Sequence, residues 1–220
     1  MPVDTNVRTT FASISDKYDR MNRLLSLFMD DAWRRHMLAM LPHTGTILDV
    51  GCGTGRLEYL LHKDERWRVI GVDLTAEMLR LNGYAEGGLV QGSATLLPFR
   101  DNSFAGLMSA FVLRNLPSTR DFFAEAWRVT RKGGHLLTLD ILPTRGRITG
   151  IPFELYFYRM APFMADRISG TTAYSYLARS VQGFKYIDEL LLEISAAGFE
   201  QNVVKSFRGT HVFLIDSKKA

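Results

Sequence analysis

The residues whose types and spacing could carry chemistry form a nucleotide-binding pattern in the first half of the chain. An acid and three glycines alternate after a short apolar run, and they are Asp49, Gly51, Gly53 and Gly55. A second apolar run ends in Asp73, where a carboxylate can bind ribose hydroxyls. A dinucleotide fingerprint requires glycine at position 56, which is arginine here. The pattern therefore favours a mononucleotide half-site of a parallel sheet.

This spacing resembles motif I of the class I S-adenosylmethionine (SAM) methyltransferases, which bind a nucleoside that carries a sulfonium. The resemblance places the adenine edge at Ser93 and Ala94, in the loop after the third strand. The helix that starts after Gly55 is expected to aim free backbone amides at the amino-acid carboxylate of SAM. Structural alternatives stay open, namely a tight strand-to-helix turn and a helix N-cap at Asp73.

Neither cysteine nor histidine indicates a metal centre. The single cysteine, Cys52, excludes a disulfide framework and a cysteine-based metal site, and we expect it to fill a small space in the turn. The five histidines have no ligand spacing, and His135 is expected to be structural. The sequence therefore predicts no metal.

Composition and charge are ordinary for one globular domain. The 220 residues are 46% hydrophobic and 23% charged, with a formal net charge of +4. The N-terminus has no apolar signal-peptide segment and no run reaches the length of a spanning helix, so we expect a cytoplasmic protein. The positive charge has two interpretations, scattered surface residues or attraction to an anionic surface.

Alternating elements predict an α/β fold with a doubly wound, Rossmann-like parallel sheet. Residues 7–41 have a helical apolar stripe that includes Tyr18, Leu25 and Phe28, and residues 1–44 are expected to form a helical cap. Strands are predicted at 46–50, 68–72, 88–91, 104–110 and 135–139, and helices at 55–62, 76–82, 121–130 and 186–197.

Three further features complete the predicted single domain of residues 1–220. Lys132-Gly133-Gly134 is expected to end the helix at 121–130, the third of the sheet region. Residues 141–184 are rich in aromatic side chains and predict a helical insertion that covers the substrate. Residues 199–207 and 210–215 predict a closing antiparallel hairpin, which is the usual ending of the class I methyltransferase fold.

Longer segments resemble the ubiquinone/menaquinone C-methyltransferase family over nearly the whole chain. These segments are Phe11 to Ser26 with Trp33-Arg34, Ala110 to Leu116, Arg128 to Gly134, and Tyr176 to Val181 followed by Phe184 and Ala197-Gly198-Phe199. The resemblance implies methyl transfer from SAM to a ring carbon of a prenylated quinol, either a benzoquinol or a naphthoquinol such as demethylmenaquinol.

The resemblance also assigns cofactor contacts by position. It carries SAM binding onto Thr54, Asp73, Ser93 and Ala94, and Leu74 is included with Asp73. The family has a serine after the fourth strand where this chain has Ala110, so Ser109, one residue earlier, is the candidate for that contact.

Three side chains are predicted to act on the acceptor. Arg114 is expected to stabilise a developing phenolate or to orient a water, since arginine is too weak an acid to serve as a base. Asn115 is expected to hydrogen-bond a ring oxygen, and Tyr18 to close over the cofactor or polarise the phenol. The alternatives are a helix cap or surface ion pair for Arg114 and core packing for Tyr18.

Several interpretations of the partners remain. The aromatic insertion predicts a lid for a prenyl tail or a second small core, and basic cap residues predict peripheral contact with anionic inner membrane. Rival functions are a SAM enzyme for another small phenolic or lipid acceptor, and a non-catalytic SAM-fold scaffold. No motif for nucleic-acid methylation is present, and the sequence leaves a homo-oligomer open.

Overall fold

Seven strands form one sheet over the described residues, in the order β3-β2-β1-β4-β5-β7-β6. The computed structural model describes residues 18–143, 180–207 and 210–220, with isolated positions 9, 12, 156, 160, 166 and 167. The strands are β1 (Gly45–Val50), β2 (Trp67–Asp73), β3 (Leu89–Gln91), β4 (Phe104–Ala110), β5 (Thr130–Ile141), β6 (Phe199–Ser206) and β7 (Val212–Lys219). The helices are α1 (Tyr18–Leu25), α2 (Asp30–Leu38), α3 (Arg56–Leu61), α4 (Ala76–Leu81), α5 (Thr119–Val129) and α6 (Ile187–Ala196), and a 3₁₀ turn spans Leu113–Asn115.

The first five strands are parallel and wind outward from the centre of the sheet. β1 pairs with β2 on one side and with β4 on the other, and β3 and β5 extend the two halves. In such sheets ligands bind beyond the carboxyl ends of the strands, where the winding direction reverses. The fold thereby places the ligand crevice at the ends of β1 and β4, and it confirms the predicted doubly wound class.

Both faces of the central strands are covered by apolar side chains. On one face, Phe122 of α5 and Leu190 of α6 belong to a buried cluster with Leu48 and Leu107. On the other face, Trp33 and Met37 of α2 pack with Ile47, Met108 and Leu137. Because β1 and β4 are buried from both sides, most of their residues are apolar, as is usual for parallel strands.

The C-terminal strands form the expected antiparallel ending. β7 lies between β5 and β6 and runs antiparallel to both. Its end was predicted at Ile215, but the strand continues to Lys219 although its last residues are polar. The buried Nζ of Lys219 donates to the carbonyl oxygens of Trp127 and Thr130 and to Oδ1 of Asn102, which satisfies the charged group.

The expected end of the helix at Lys132-Gly133-Gly134 is wrong. α5 ends at Val129, and Thr130 adopts an extended conformation that starts β5. The two glycines lie inside β5, beside an irregularity in its pairing with β4. Gly133 has φ of 76°, so the glycines accommodate a distorted strand and do not cap a helix.

The predicted stripe is also wrong at Phe28. The cap helices α1 and α2 are separate, since Leu27 and Phe28 between them have φ of 51° and 64°, which no continuous α-helix contains. Phe28 is 65% exposed and does not face the core. Most of the N-terminal 17 residues and of the predicted insertion at 141–184 lie outside the described residues, so the boundaries of the cap, of the insertion and of the single domain stay predictions.

Candidate active site

A pocket opens at the carboxyl ends of β1, β2, β3 and β4. It encloses about 990 Å³, a volume that includes the open mouth. Its wall contains nine of the residues predicted from the sequence, which are Asp49, Gly51, Gly53, Thr54, Asp73, Leu74, Ser93, Ala94 and Asn115. Gly55, Ser109 and Arg114 are not part of this wall, and the side chain of Tyr18 lies outside the described part of the chain.

Hydrogen bonds to Asp73 connect the glycine loop after β1 to the end of β2. Oδ2 of Asp73 accepts from the backbone N–H of Gly53 at 2.9 Å, and Oδ1 accepts from that of Thr75 at 2.8 Å. Asp73 also lines the pocket, where its carboxylate oxygens can accept from ribose hydroxyls. Gly51 has φ of 71°, and a Cβ there would lie 2.3 Å from Cγ2 of Val112, so the loop requires glycine.

Gly55 allows close packing between α3 and Asn82 behind the loop. It precedes α3 with φ of 86°, and a Cβ at this position would lie 2.2 Å from Oδ1 of Asn82. Asn82 is buried and its Nδ2 donates to Oε1 of Glu58 at 3.3 Å. The glycine therefore lets α3 approach Asn82, and the predicted contact of Gly55 with the cofactor stays a prediction.

Two carboxyl groups are buried together beneath the glycine loop. Asp49 and Glu58 are each 1% exposed, and Oδ1 of Asp49 has no hydrogen-bond partner among the described residues. Burial, and then the neighbouring Glu58 carboxylate, raise the pKa of Asp49 well above its usual range. Sequence reasoning missed Glu58, although it is an acid in the otherwise apolar stretch Leu57 to Leu61.

The cap helices contact the glycine loop through two acids that sequence reasoning also missed. Asp19 of α1 accepts from Oγ1 of Thr54 at 2.8 Å. Asp31 of α2 accepts from Nε of Arg56 at 2.8 Å and also pairs with its Nη2. These contacts hold the cap at the mouth of the pocket. Asp19 lies in the N-terminal segment that resembles the family, although no role was predicted for it, and no motif marks Asp31.

Two small side chains near the pocket have structural contacts. Ser109 is buried and its Oγ donates to the carbonyl oxygen of Val50 at 2.8 Å, while the next residue, Ala110, lines the pocket. Cys52 is 7% exposed, and burial raises the pKa of its thiol, so the reactive thiolate is disfavoured. Cys52 thus fills the turn as expected.

The predicted catalytic pair faces two directions. Asn115 lines the pocket, and its buried Oδ1 has no partner among the described residues. Arg114 instead forms a buried ion pair with Asp140, and neither side chain is more than 6% exposed. Between β4 and this turn, Phe111 has φ of 65° and also lines the pocket. Arg114 and Asn115 are consecutive residues of the 3₁₀ turn, so their side chains point about 120° apart.

The pocket matches a nucleoside that carries an amino-acid tail. Asp73 presents acceptors for ribose hydroxyls, and the unpartnered Oδ1 of Asp49 presents an acceptor for an ammonium group. No helix of the described residues is long and apolar enough to cross a membrane. Fold and site together define a class I SAM-dependent methyltransferase. The chain belongs to the ubiE/COQ5 methyltransferase family, whose sequence profile matches residues 2–215.

Several relatives are similar over most of their length. A demethylmenaquinone methyltransferase of Deinococcus radiodurans is 36% identical over 205 residues, which cover 88% of this chain and 84% of the relative. One of Thermotoga maritima is 34% identical, with 86% of both chains covered. The ubiquinone/menaquinone biosynthesis C-methyltransferase UbiE of Rickettsia bellii is 32% identical, with 92% and 88% covered.

Solved structures confirm the fold. A SAM-dependent methyltransferase of Thermotoga maritima superposes with a TM-score of 0.73 at 20% identity, and the match covers 97% of this chain and 100% of the other. A phosphoethanolamine N-methyltransferase of Haemonchus contortus, solved with SAM, gives 0.61 at 15% identity over 84% of this chain and 52% of the other. The cofactor of this chain, as a member of the ubiE/COQ5 family, is SAM.

The buried acids predict a pH-dependent gain of stability in Glu58→Gln. The folded-state pKa values of Asp49 and Glu58 are raised, so the folded protein retains a proton that the unfolded chain loses, and stability falls as pH rises above about 4.5. The amide oxygen of the introduced glutamine can still accept from Asn82, and the amide needs no proton. We expect the free energy of unfolding of the variant to exceed that of wild type by about 1–2 kcal/mol at pH 7, with the gain vanishing near pH 4.

Urea unfolding at both pH values measures this difference. Glu65→Gln, a matched change of an exposed acid, should leave the free energy of unfolding near that of wild type. A Glu58→Gln variant that is less stable than wild type at both pH values would contradict the conclusion that burying Asp49 and Glu58 together destabilises the fold at neutral pH.

Proposed function

We propose that this enzyme transfers the methyl group of SAM to a ring carbon of a prenylated quinol, with demethylmenaquinol as the first acceptor to test. The relatives named demethylmenaquinone methyltransferase, at 34% and 36% identity, support this choice. The observation that carries it in this chain is Oδ1 of Asn115, a buried acceptor without a described partner in the wall of the cofactor pocket.

The geometry around Asn115 suits a phenolic ring. SAM, when bound, supplies an electrophilic methyl group, and the acceptor carbon must be held in line with it at about 3–3.5 Å. Oδ1 of Asn115 would accept the phenolic O–H, and Phe111, Leu116 and Pro117 provide apolar walls beside it. Tyr18, at the start of α1, remains the proposed residue that closes over the ring.

The proposal predicts methylation of the reduced acceptor only. A ring carbon becomes nucleophilic when a neighbouring phenol loses its proton, and a quinone lacks that electron density. Purified protein with SAM should convert demethylmenaquinol to a product heavier by one methylene group in mass spectrometry, and the oxidised demethylmenaquinone should remain unchanged. A demethylated benzoquinol serves as the second acceptor.

Two negative results of this assay would have different meanings. SAM binding without turnover of either quinol would contradict the quinol acceptor and favour an enzyme for a small soluble phenol or lipid. Absence of SAM binding in calorimetry would favour the non-catalytic scaffold.

Arg114 is proposed to stabilise the negative charge that develops on the phenolate, and Asp140 is proposed to hold the Arg114 guanidinium in place. Burial raises the pKa of Asp140 and the guanidinium of Arg114 opposes that rise, while Oδ2 of Asp140 has no described partner. The ion pair holds a cation behind the pocket wall, 5.9 Å from the ring centroid of Phe111, which lines the pocket. Removal of one partner alone would leave a buried charge unpaired, which costs about 3–5 kcal/mol of stability.

A double variant separates catalysis from folding at this pair. Arg114→Met/Asp140→Leu removes both charges, so we expect it to be far more stable than Arg114→Met in urea unfolding. If Arg114 stabilises developing charge, turnover at saturating SAM should still fall by about 10²–10⁴-fold in the folded double variant. Turnover within a few-fold of wild type would mean that the pair is structural.

Peripheral contact with an anionic membrane is proposed at the turn between the cap helices. Leu27 is 51% and Phe28 65% exposed, and the guanidinium of Arg23 lies 5.8 Å from the Phe28 ring centroid. An apolar pair beside a basic residue can enter the headgroup region while the charge contacts anionic lipid. Such a contact would bring the pocket to a substrate with a membrane-embedded tail, on the cytoplasmic side of the inner membrane.

Liposome sedimentation tests the turn. Leu27→Ser/Phe28→Ser should reduce binding to phosphatidylcholine–phosphatidylglycerol vesicles by about 10-fold or more, because two exposed apolar side chains are lost. Added salt should weaken wild-type binding. Leu192→Ser on α6 removes another exposed apolar side chain and is the matched control. Equal binding of all variants, or none by wild type at low salt, would contradict the membrane contact.

A further inference from the structure

An arginine of the cap lies buried in the wall of the cofactor pocket. Arg34 of α2 is 6% exposed and lines the same pocket as Asp49 and Gly51. Its charge is close enough to lower the pKa of Asp49 against the larger effect of burial. Arg34 therefore lies at the Asp49 end of the site.

The hydrogen-bonding capacity of Arg34 is incompletely used. Nη1 donates to Oδ2 of Asp30 at 2.7 Å, and the guanidinium carbon lies 4.9 Å from the ring centroid of Phe111. The buried Nε–H has no partner among the described residues. Asp30 also accepts from Ser26, so its charge is shared between two donors. Burying a hydrogen-bond donor without an acceptor costs free energy, and an anionic ligand would supply the missing acceptor.

The second arginine of the described pocket wall is already neutralised. Arg56 donates from Nε and Nη2 to both carboxylate oxygens of Asp31, which is the bidentate geometry that satisfies a guanidinium. The glycine loop leads into α3, which has only six residues and supplies little helix-dipole charge. Arg34 is thus the best anion-binding group of the described wall.

Only one group of SAM is an anion. The adenine and ribose are neutral, the sulfonium and ammonium are cations, and the remaining charge is the carboxylate of the methionine moiety. The pocket wall offers a free acceptor at Oδ1 of Asp49 and a cation at Arg34, which suit the ammonium and the carboxylate of an α-amino acid group. We propose that the Arg34 guanidinium binds the carboxylate of SAM, so that a cap helix contributes directly to cofactor recognition.

The proposal rests on SAM binding and not on the identity of the methyl acceptor. Decarboxylated SAM keeps the sulfonium and the amine and lacks only the carboxylate, so calorimetry with SAM and decarboxylated SAM isolates this contact. Wild type should bind SAM about 10- to 100-fold more tightly than decarboxylated SAM, as expected for a charge-assisted hydrogen bond.

Arg34→Met/Asp30→Asn removes the cation without leaving a buried charge behind. It should bind the two ligands with equal affinity, because SAM binding weakens while binding of decarboxylated SAM changes less than about threefold. Arg66→Met/Asp64→Asn removes an ion pair that lies outside the pocket wall and is the control, which should keep the wild-type preference for SAM.

Three results would overturn the assignment. They are a wild type without preference for SAM, an Arg34 variant that loses both ligands equally, and an Arg34 variant that keeps the full preference. Complete absence of SAM binding by wild type would overturn the proposed function as well, whereas failure of quinol methylation alone would leave the role of Arg34 intact.

Discussion

The hydrogen bond from Gly53 to Asp73 is the contact on which the site depends. It joins the loop after β1 to the end of β2 at 2.9 Å, and a second bond to Thr75 fixes the carboxylate. Both loops meet because β1 and β2 are parallel and in register up to Val50 and Val72. Gly51 allows the close approach of Val112, which follows β4. The position of the pocket follows from this junction, since the winding of the sheet reverses at β1.

Buried charge around the pocket is balanced only in part by the protein itself. Asp49 keeps a free acceptor, Arg34 keeps a free donor, and Asp140 keeps a free oxygen among the described contacts. A core optimised for stability would not retain such groups. Asp49 and Arg34 are explained together if the amino-acid tail of SAM forms the missing hydrogen bonds. Asp140 is explained if it holds Arg114 near the methyl acceptor. These unpartnered groups lower the stability of the fold, and they also form a site that is preorganised for its ligand.

The sequence predicted those parts of the site that depend on chain order, and missed those that depend on packing. Asp73 ends β2 and Ser93 comes two residues after the end of β3, so the alternation of elements was enough to place them. No sequence motif marks Glu58 or Asp140. Their roles depend on buried neighbours that are distant in the sequence, Asp49 for Glu58 and Arg114 for Asp140. The same limit explains the fold errors, since apolar periodicity cannot reveal the positive φ angles that turn Phe28 outward.

A crystal structure with S-adenosylhomocysteine would test the account most directly. We predict the adenine beside Ser93 and Ala94, the ribose hydroxyls on Asp73, and the amino-acid tail between Asp49 and Arg34, with the acceptor end open toward Asn115. A ligand bound in the reverse direction, with its carboxylate away from Arg34, or bound outside this pocket, would contradict the account.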